Sequence, residues 1–325
     1  LSTRTWIQTF NHLISYTKSF GNNNIDAMIG HESYSYKYEY MYSMKVGETV
    51  NGIYDFENFT SISSLSSYTD EYKKESWFGR LNYDYANRYY ASFSYRRDGS
   101  SRFSKDNRWG NFFSVGASWR ASEEAFLKDV KWIDNLKLRA SWGQTGNDHI
   151  LNGDGDTDYY PYMTLYGLGS NHGTEAGAFF TTIANSNLKW ESQVSTDVGL
   201  EFGFFNRLSG TVEWFNKASN DLLFDVSQPY STGVTSIVQN IGKISNYGVE
   251  VDLNYDAVKS KNWKFSVGLN ATFLKNKIDK LPDTMQDGYV SGSKKWLVGK
   301  SIYEFWLYQW AGVDPATGNG LYILE

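Results

Sequence analysis

Apolar and polar residues alternate with a period of two through much of the chain, the mark of strands with one greasy and one wet face. From Trp77 the odd positions read Trp77, Gly79, Leu81, Tyr83 and Tyr85, and between them stand Phe78, Arg80, Asn82 and Asp84. A turn at Ala86-Asn87-Arg88 follows. Tyr89, Ala91, Phe93 and Tyr95 then alternate with Tyr90, Ser92, Ser94 and Arg96, which predicts a long hairpin. The same alternation recurs around 109–119, 136–142, 194–204, 208–214, 247–255 and 263–273, and more noisily near 3–16, 24–46 and 300–312. The total is about eleven strands. One short helix is expected, with Ser122 as its cap, Glu123 and Glu124 in its first turn, and Phe126, Val130 and Ile133 at helical spacing.

The predicted strands run to about 10–15 residues, against a usual five or six. A tilted strand needs about 9–11 residues to cross the hydrocarbon layer of a bilayer. The polar face carries Arg80, Asp84, Asp197, Glu201, Glu213, Glu250 and Asp252. A dry core would make so many charges costly, whereas a water-filled interior tolerates them. The apolar face must then look outward into lipid, the inside-out arrangement of an antiparallel transmembrane β-barrel. The connections agree. They are expected at 20–24, 47–74, 86–88, 101–108, 121–135, 147–187, 205–207, 225–245, 257–262 and 277–298, short alternating with long. Such barrels have short periplasmic turns and long extracellular loops. Trp77, Tyr89, Trp109, Trp119 and Trp263 fall at strand ends, where interfacial aromatic girdles belong.

Composition sharpens this. The 325 residues are 18% aromatic and 21% charged, and no apolar run is long enough for a membrane-spanning helix. The aromatic content also excludes a disordered chain. There is no cysteine, hence no disulfide framework, thiolate metal site or cysteine nucleophile. The net charge of −5 gives no electrostatic case for nucleic acid. His12, His31, His149 and His172 lack metal-ligand spacing, no glycine-rich loop opens a helix, and no paired catalytic carboxylates stand out; we read no enzyme.

Several blocks resemble one family. Trp77-Phe78-Gly79-Arg80-Leu81-Asn82-Tyr83 and Tyr95-Arg96-Arg97-Asp98-Gly99-Ser100-Ser101-Arg102-Phe103 are similar to the barrel of SusC/RagA-type TonB-dependent transporters. So are the stretches 136–147, 187–192, 240–250 and 311–318, in the family's order. The resemblance implies a 22-stranded outer-membrane barrel of Bacteroidota-type bacteria, its lumen filled by a plug. It also implies a TonB-contacting segment, a SusD-like lipoprotein lid, pairs of such complexes that dimerise, and import of an oligosaccharide or a peptide. Residues 1–325 are then expected to form part of one barrel domain, with the plug, the TonB-contacting segment and the final strands outside this sequence. The leading expectation is import of a glycan. The alternatives are peptide import by the same class, or a secreted all-β adhesin or glycan-binding protein that buries its apolar face.

Two candidate sites share the longest connection. Asp154, Asp156 and Asp158 alternate and could converge on structural Ca²⁺, which takes oxygen ligands. They depart from the twelve-residue calcium loop, since Tyr159 stands where that loop needs glycine and Leu165 where it needs glutamate. Otherwise they are a solvated acidic loop. Tyr159, Tyr160, Tyr162 and Tyr166 could offer ring faces to a sugar, pack against a lid protein, or form the loop's own core. Arg80, Asp84, Arg96 and Glu250 on the wet face are expected to meet a plug, pair with each other, or line a passage.

Overall fold

The computed structural model describes residues 1–151, 155–175, 177–234 and 236–323. Its strands are β1 (Ser2–Phe20), β2 (Asn23–Glu48), β3 (Phe59–Tyr85), β4 (Tyr89–Ser100), β5 (Trp109–Arg120), β6 (Ile133–Asn147), β7 (Leu165–Leu168), β8 (Ala178–Thr182), β9 (Glu191–Phe204), β10 (Leu208–Ser227), β11 (Ser236–Lys259), β12 (Lys264–Lys280), β13 (Tyr289–Ser291), β14 (Lys294–Trp296), β15 (Gln309–Val313) and β16 (Gly320–Ile323). Ten of them form one sheet with neighbours in the order β1-β2-β3-β4-β5-β6-β9-β10-β11-β12. β7–β8, β13–β14 and β15–β16 are separate antiparallel pairs. The expected strand near 300–312 does not join the sheet. Residues 302–308 are a nearly unbroken apolar run, and their backbone bonds to the β13–β14 hairpin instead, through Lys295 N to Glu304 O (3.2 Å) and Trp306 N to Ser293 O (2.8 Å).

The chain divides into two compact units. The first comprises Leu1–Tyr83, Ser92–Phe113 and Asp148–Trp190, the second Asp84–Ala91, Ser114–Asn147 and Glu191–Glu325. In the first, His12 stands opposite His31 and Ile14 opposite Ile29, so even positions of β1 and odd positions of β2 share a face. That face is apolar and open: Ile14 is 68% exposed, Ile29 62% and Trp77 54%. The opposite face is charged and internally paired. Arg80 lies 3.5 Å from Asp26, and Arg96 lies 2.7 Å from Asp98 and 3.5 Å from Glu32. The wet-face cations expected to meet a plug, pair or line a passage thus find carboxylates within the unit.

The second unit repeats the arrangement. Val212 faces Leu200 on β9 and Val251 on β11, while Thr211 faces Glu201 and Asp252. On the polar side Lys137 is 3.6 Å and Arg139 3.5 Å from Glu201, and Arg139 also grips Glu213. Pairs this open to water each contribute about 0–1 kcal/mol, so they neutralise the face more than they stabilise it. The turn at Ala86-Asn87 and that at Phe205-Asn206 hold their residues at φ 52–57°, the conformation of tight hairpins.

Two local expectations need correction. The segment after β5 is not an amphipathic helix. A three-residue 3-10 turn at Ala121–Glu123 is followed by further turns, with Glu124 N bonding Ala121 O and Val130 N bonding Leu127 O. Arg120, not Ser122, holds the cap position, and its side chain makes no capping hydrogen bond but lies 3.6 Å from Glu123. Glu124 is drawn aside instead: its carboxylate accepts from the Tyr89 hydroxyl, from Trp119 Nε1 at 3.1 Å and from Arg88 at 3.1 Å. Second, the connections expected at 47–74 and 225–245 shrink to 49–58 and 228–235, because β2, β3, β10 and β11 run on to 20–27 residues. Beyond the apolar band both faces of a strand are wet, so nothing there enforces alternation. Among the described residues no helix is long and apolar enough to cross a membrane, which bears on helices only.

Candidate functional site

Above the apolar band of the first unit, β2 carries Tyr34, Tyr36, Tyr38, Tyr40 and Tyr42 at every second residue. A strand sends alternate side chains to one face, so these tyrosines share the polar side with Asp26 and Glu32. β3 adds Tyr68 and Tyr72. Tyr40 stacks on Tyr68 at 4.8 Å, and Tyr34 meets Tyr72 at 5.9 Å. The Asp148–Trp190 connection brings Tyr159 onto Tyr36, with centroids 5.8 Å apart and planes at 15°. Three of the expected loop tyrosines belong to this wall or its edge. Tyr159 stacks in it; the Tyr160 hydroxyl accepts from Glu71 N at 2.8 Å; and Tyr162, half-buried, lies near enough to bear on the Tyr160 hydroxyl. Tyr166 is placed elsewhere, on β7, where it packs against Phe180 at 4.8 Å. The five tyrosines of β2 were missed by the sequence reading, although their strict spacing in 34–42 was its signal.

A buried ionic latch holds the connection in place. Asp148 accepts from the Tyr72 hydroxyl at 2.6 Å and from Ser100 Oγ at 2.7 Å. Arg102 donates to Asp148 O at 3.0 Å and lies over the Tyr72 ring at 4.3 Å and the Tyr159 ring at 5.4 Å. Arg102 is 7% exposed and Asp148 8%. At the other end of the connection, Trp190 donates to Arg108 O at 2.9 Å and packs between Phe103 and Phe112. Gly110 makes room there: a Cβ would stand 2.5 Å from Phe112 and 3.2 Å from Trp190.

Asp154 lies outside the described residues. Asp158 turns into the tyrosine wall, where its Oδ1 accepts from Tyr160 N at 2.8 Å. Burial pushes its carboxyl above the usual range, and burial followed by the charge of Asp158 does the same for Asp70 of β3. Among the described residues no three His, Asp or Glu side chains are grouped to hold a metal. Burial, then the Tyr159 hydroxyl, pushes Tyr36 up to about 12. Burial likewise raises Tyr72 and Tyr160. These phenols therefore stay neutral at ordinary pH and serve as ring faces and hydrogen-bonding hydroxyls. Such a surface can offer a polar ligand many small contacts.

The model of the family described as "TonB dependent receptor-like, beta-barrel" matches residues 2–322. The chain belongs to that family. The TonB-dependent receptor SusC of Bacteroides thetaiotaomicron is 34% identical over 281 residues, which is 84% of this chain and 27% of SusC. TonB-dependent receptor P3 of Formosa agariphila is 33% identical over 317 residues, 92% of this chain and 31% of P3. A solved structure of the RagAB peptide transporter superposes with a TM-score of 0.87 at 29% identity, covering 98% of this chain and 35% of that one. The chain thus spans about a third of the length of the proteins it matches. The resemblance in its strand blocks holds: this is barrel sequence of SusC/RagA type, all-β and antiparallel, and its place is the outer membrane. The exposed apolar faces of this TonB-dependent receptor segment are lipid faces, and the charged faces are lumenal.

Proposed function

We propose that the chain is the part of a TonB-dependent outer-membrane importer that forms one side of its ligand entrance, and that the imported nutrient is a glycan. The observation that carries this is the tyrosine wall, in which Tyr36 and Tyr159 stack and Tyr34, Tyr40, Tyr68 and Tyr72 continue the surface. Sugar rings bind by laying their C–H faces on aromatic rings while their hydroxyls exchange hydrogen bonds with neighbouring polar groups. The loop tyrosines Tyr159, Tyr160 and Tyr162 belong to that surface on this reading, and Tyr166 serves the β7–β8 hairpin. Membership of the SusC/RagA type supports a SusD-like lipoprotein as lid, TonB as energy source, and pairing of two such complexes. No step makes or breaks a bond. A calcium ion is not part of the proposal, since Asp158 faces Tyr160 and Asp70.

A second reading rests on a different observation: the chain superposes closely on structures described as a peptide importer. An extended peptide could add its own side chains to the same wall. Uptake of labelled oligosaccharides and labelled peptides by cells carrying the protein decides between them. Saturable oligosaccharide uptake that falls at least about tenfold in Tyr36→Ala/Tyr159→Ala supports the glycan reading. Peptide uptake with the same sensitivity replaces it.

A further inference from the structure

The lipid face of the first unit is not uniformly covered. Between Trp77 and Leu81 on β3 stands Gly79, next to Met28 and Ile29 of β2, and Ala27 of β2 lines the same gap, so two of its lining positions offer almost no side chain. The gap is a trough of about 670 Å³ lined by Ile14, Ala27, Ile29, Gly79, Leu81 and Phe93. Phe78 does not fill it, because it packs on the other face, against the bare Cα of Gly30. The end of the trough away from the tight turn at residues 21–22 is polar. There His12 and His31 face each other with their Nδ1 atoms 3.5 Å apart, and their rings are stacked at 16°. His31 also lies over Trp77 at 4.2 Å and reaches Glu75 through Nε2 at 3.3 Å. Their sequence separation gave no hint of this; the β1–β2 register creates it.

An open apolar trough that ends on two imidazoles and an indole ring, with the Glu75 carboxylate bonded to His31 beyond them, matches an amphiphile with an acyl tail and a hydroxyl-rich head. The trough is continuous with the lipid face, so its occupant is a lipid. The polar end lies toward the long connections, which face outward in such barrels, so that lipid belongs to the outer leaflet. The carboxylate of Glu75 disfavours a phosphate in direct contact and suits sugar hydroxyls. We propose that this trough holds one outer-leaflet glycolipid, its acyl chain over Gly79 and its sugar head on His12, His31, Glu75 and Trp77.

The test is native mass spectrometry of the detergent-purified protein after incubation with lipooligosaccharide or, separately, with phosphatidylglycerol. The expected result is one retained lipooligosaccharide per protein. Retention falls at least about tenfold in Gly79→Leu, which fills the trough, and in His12→Ala/His31→Ala, which strips its head site. A Cβ at Gly79 meets only Met28 O at 3.4 Å and Ile29 Cγ2 at 3.7 Å, so the backbone can accept it. The histidine variant touches no glycine and gives an independent reading. A control, Val267→Leu, lies on the lipid face of the second unit and retains the lipid. Equal retention in wild type and both variants, preference for phosphatidylglycerol, or no stoichiometric lipid overturns the proposal.

Discussion

At the scale of single residues, the most consequential side chains are those that hold the long connection. Arg102 and Asp148 are both nearly fully buried and stand 3.8 Å apart as an ion pair; Asp148 also accepts from Tyr72 and Ser100, and Arg102 donates to the Asp148 carbonyl. Removing one partner of such a pair leaves the other charge buried and uncompensated, at a cost of about 3–5 kcal/mol. Arg102→Ala is therefore expected to release the 148–190 segment. Limited proteolysis should cut within that segment in the variant while leaving wild type intact; equal cutting would show that the latch is dispensable. Glu124 acts differently. The Tyr89 hydroxyl, then Trp119 Nε1, hold its carboxyl below the ordinary range. A depressed carboxyl contributes stability that is present above its unfolded value and lost as pH falls through its folded value. Glu124→Gln should thus melt below wild type at pH 7, and the gap should narrow as acidification carries the pH below the ordinary carboxylate range, read by circular dichroism. A gap that persists in acid would assign the effect to packing.

At the scale of elements, adjacent residues of one strand live in different solvents. Val212 looks into lipid beside Leu200 and Val251, whereas Thr211 looks into the lumen beside Glu213, Glu250 and Asp252. An arginine on the lipid face near midplane costs about 2–4 kcal/mol, while one among those carboxylates finds partners. Val212→Arg should lose the heat-dependent gel migration of a folded barrel and Thr211→Arg should keep it; the reverse order would invert the assignment of faces. This alternation is also why so much was legible from sequence. Where lipid bounds one face and water the other, as in β4, β5, β9 and β10, the period of two is enforced residue by residue. Where the strands rise into water the constraint lapses, and the upper half of β2 read as noise although it holds the tyrosine wall. The supposed helix after β5 failed for a related reason: its apolar spacing was helical, but Glu124 is held sideways by Tyr89 and Trp119 rather than by a first turn.

At the scale of the whole molecule, family and fold were within reach of the sequence, because the strand blocks carry them. The site was not, because it is made by register and by a distant connection. Tyr36 and Tyr159 are far apart in the chain, and only the packing of the 148–190 segment on β2 brings their rings together. The strand order itself has a kinetic side. Every neighbour in the main sheet is the next strand in sequence, except where β9 follows β6. Consecutive hairpins are local contacts and close quickly. The step from β6 to β9 must instead wait for the 148–190 segment to close a long loop, with an entropy cost that grows as the logarithm of its length. Trp190, seated between Phe103 and Phe112, is positioned to shorten that search by fixing the returning end before β9 pairs. On this strand order, two runs of rapid zippering separated by one slow closure are the expected course of assembly.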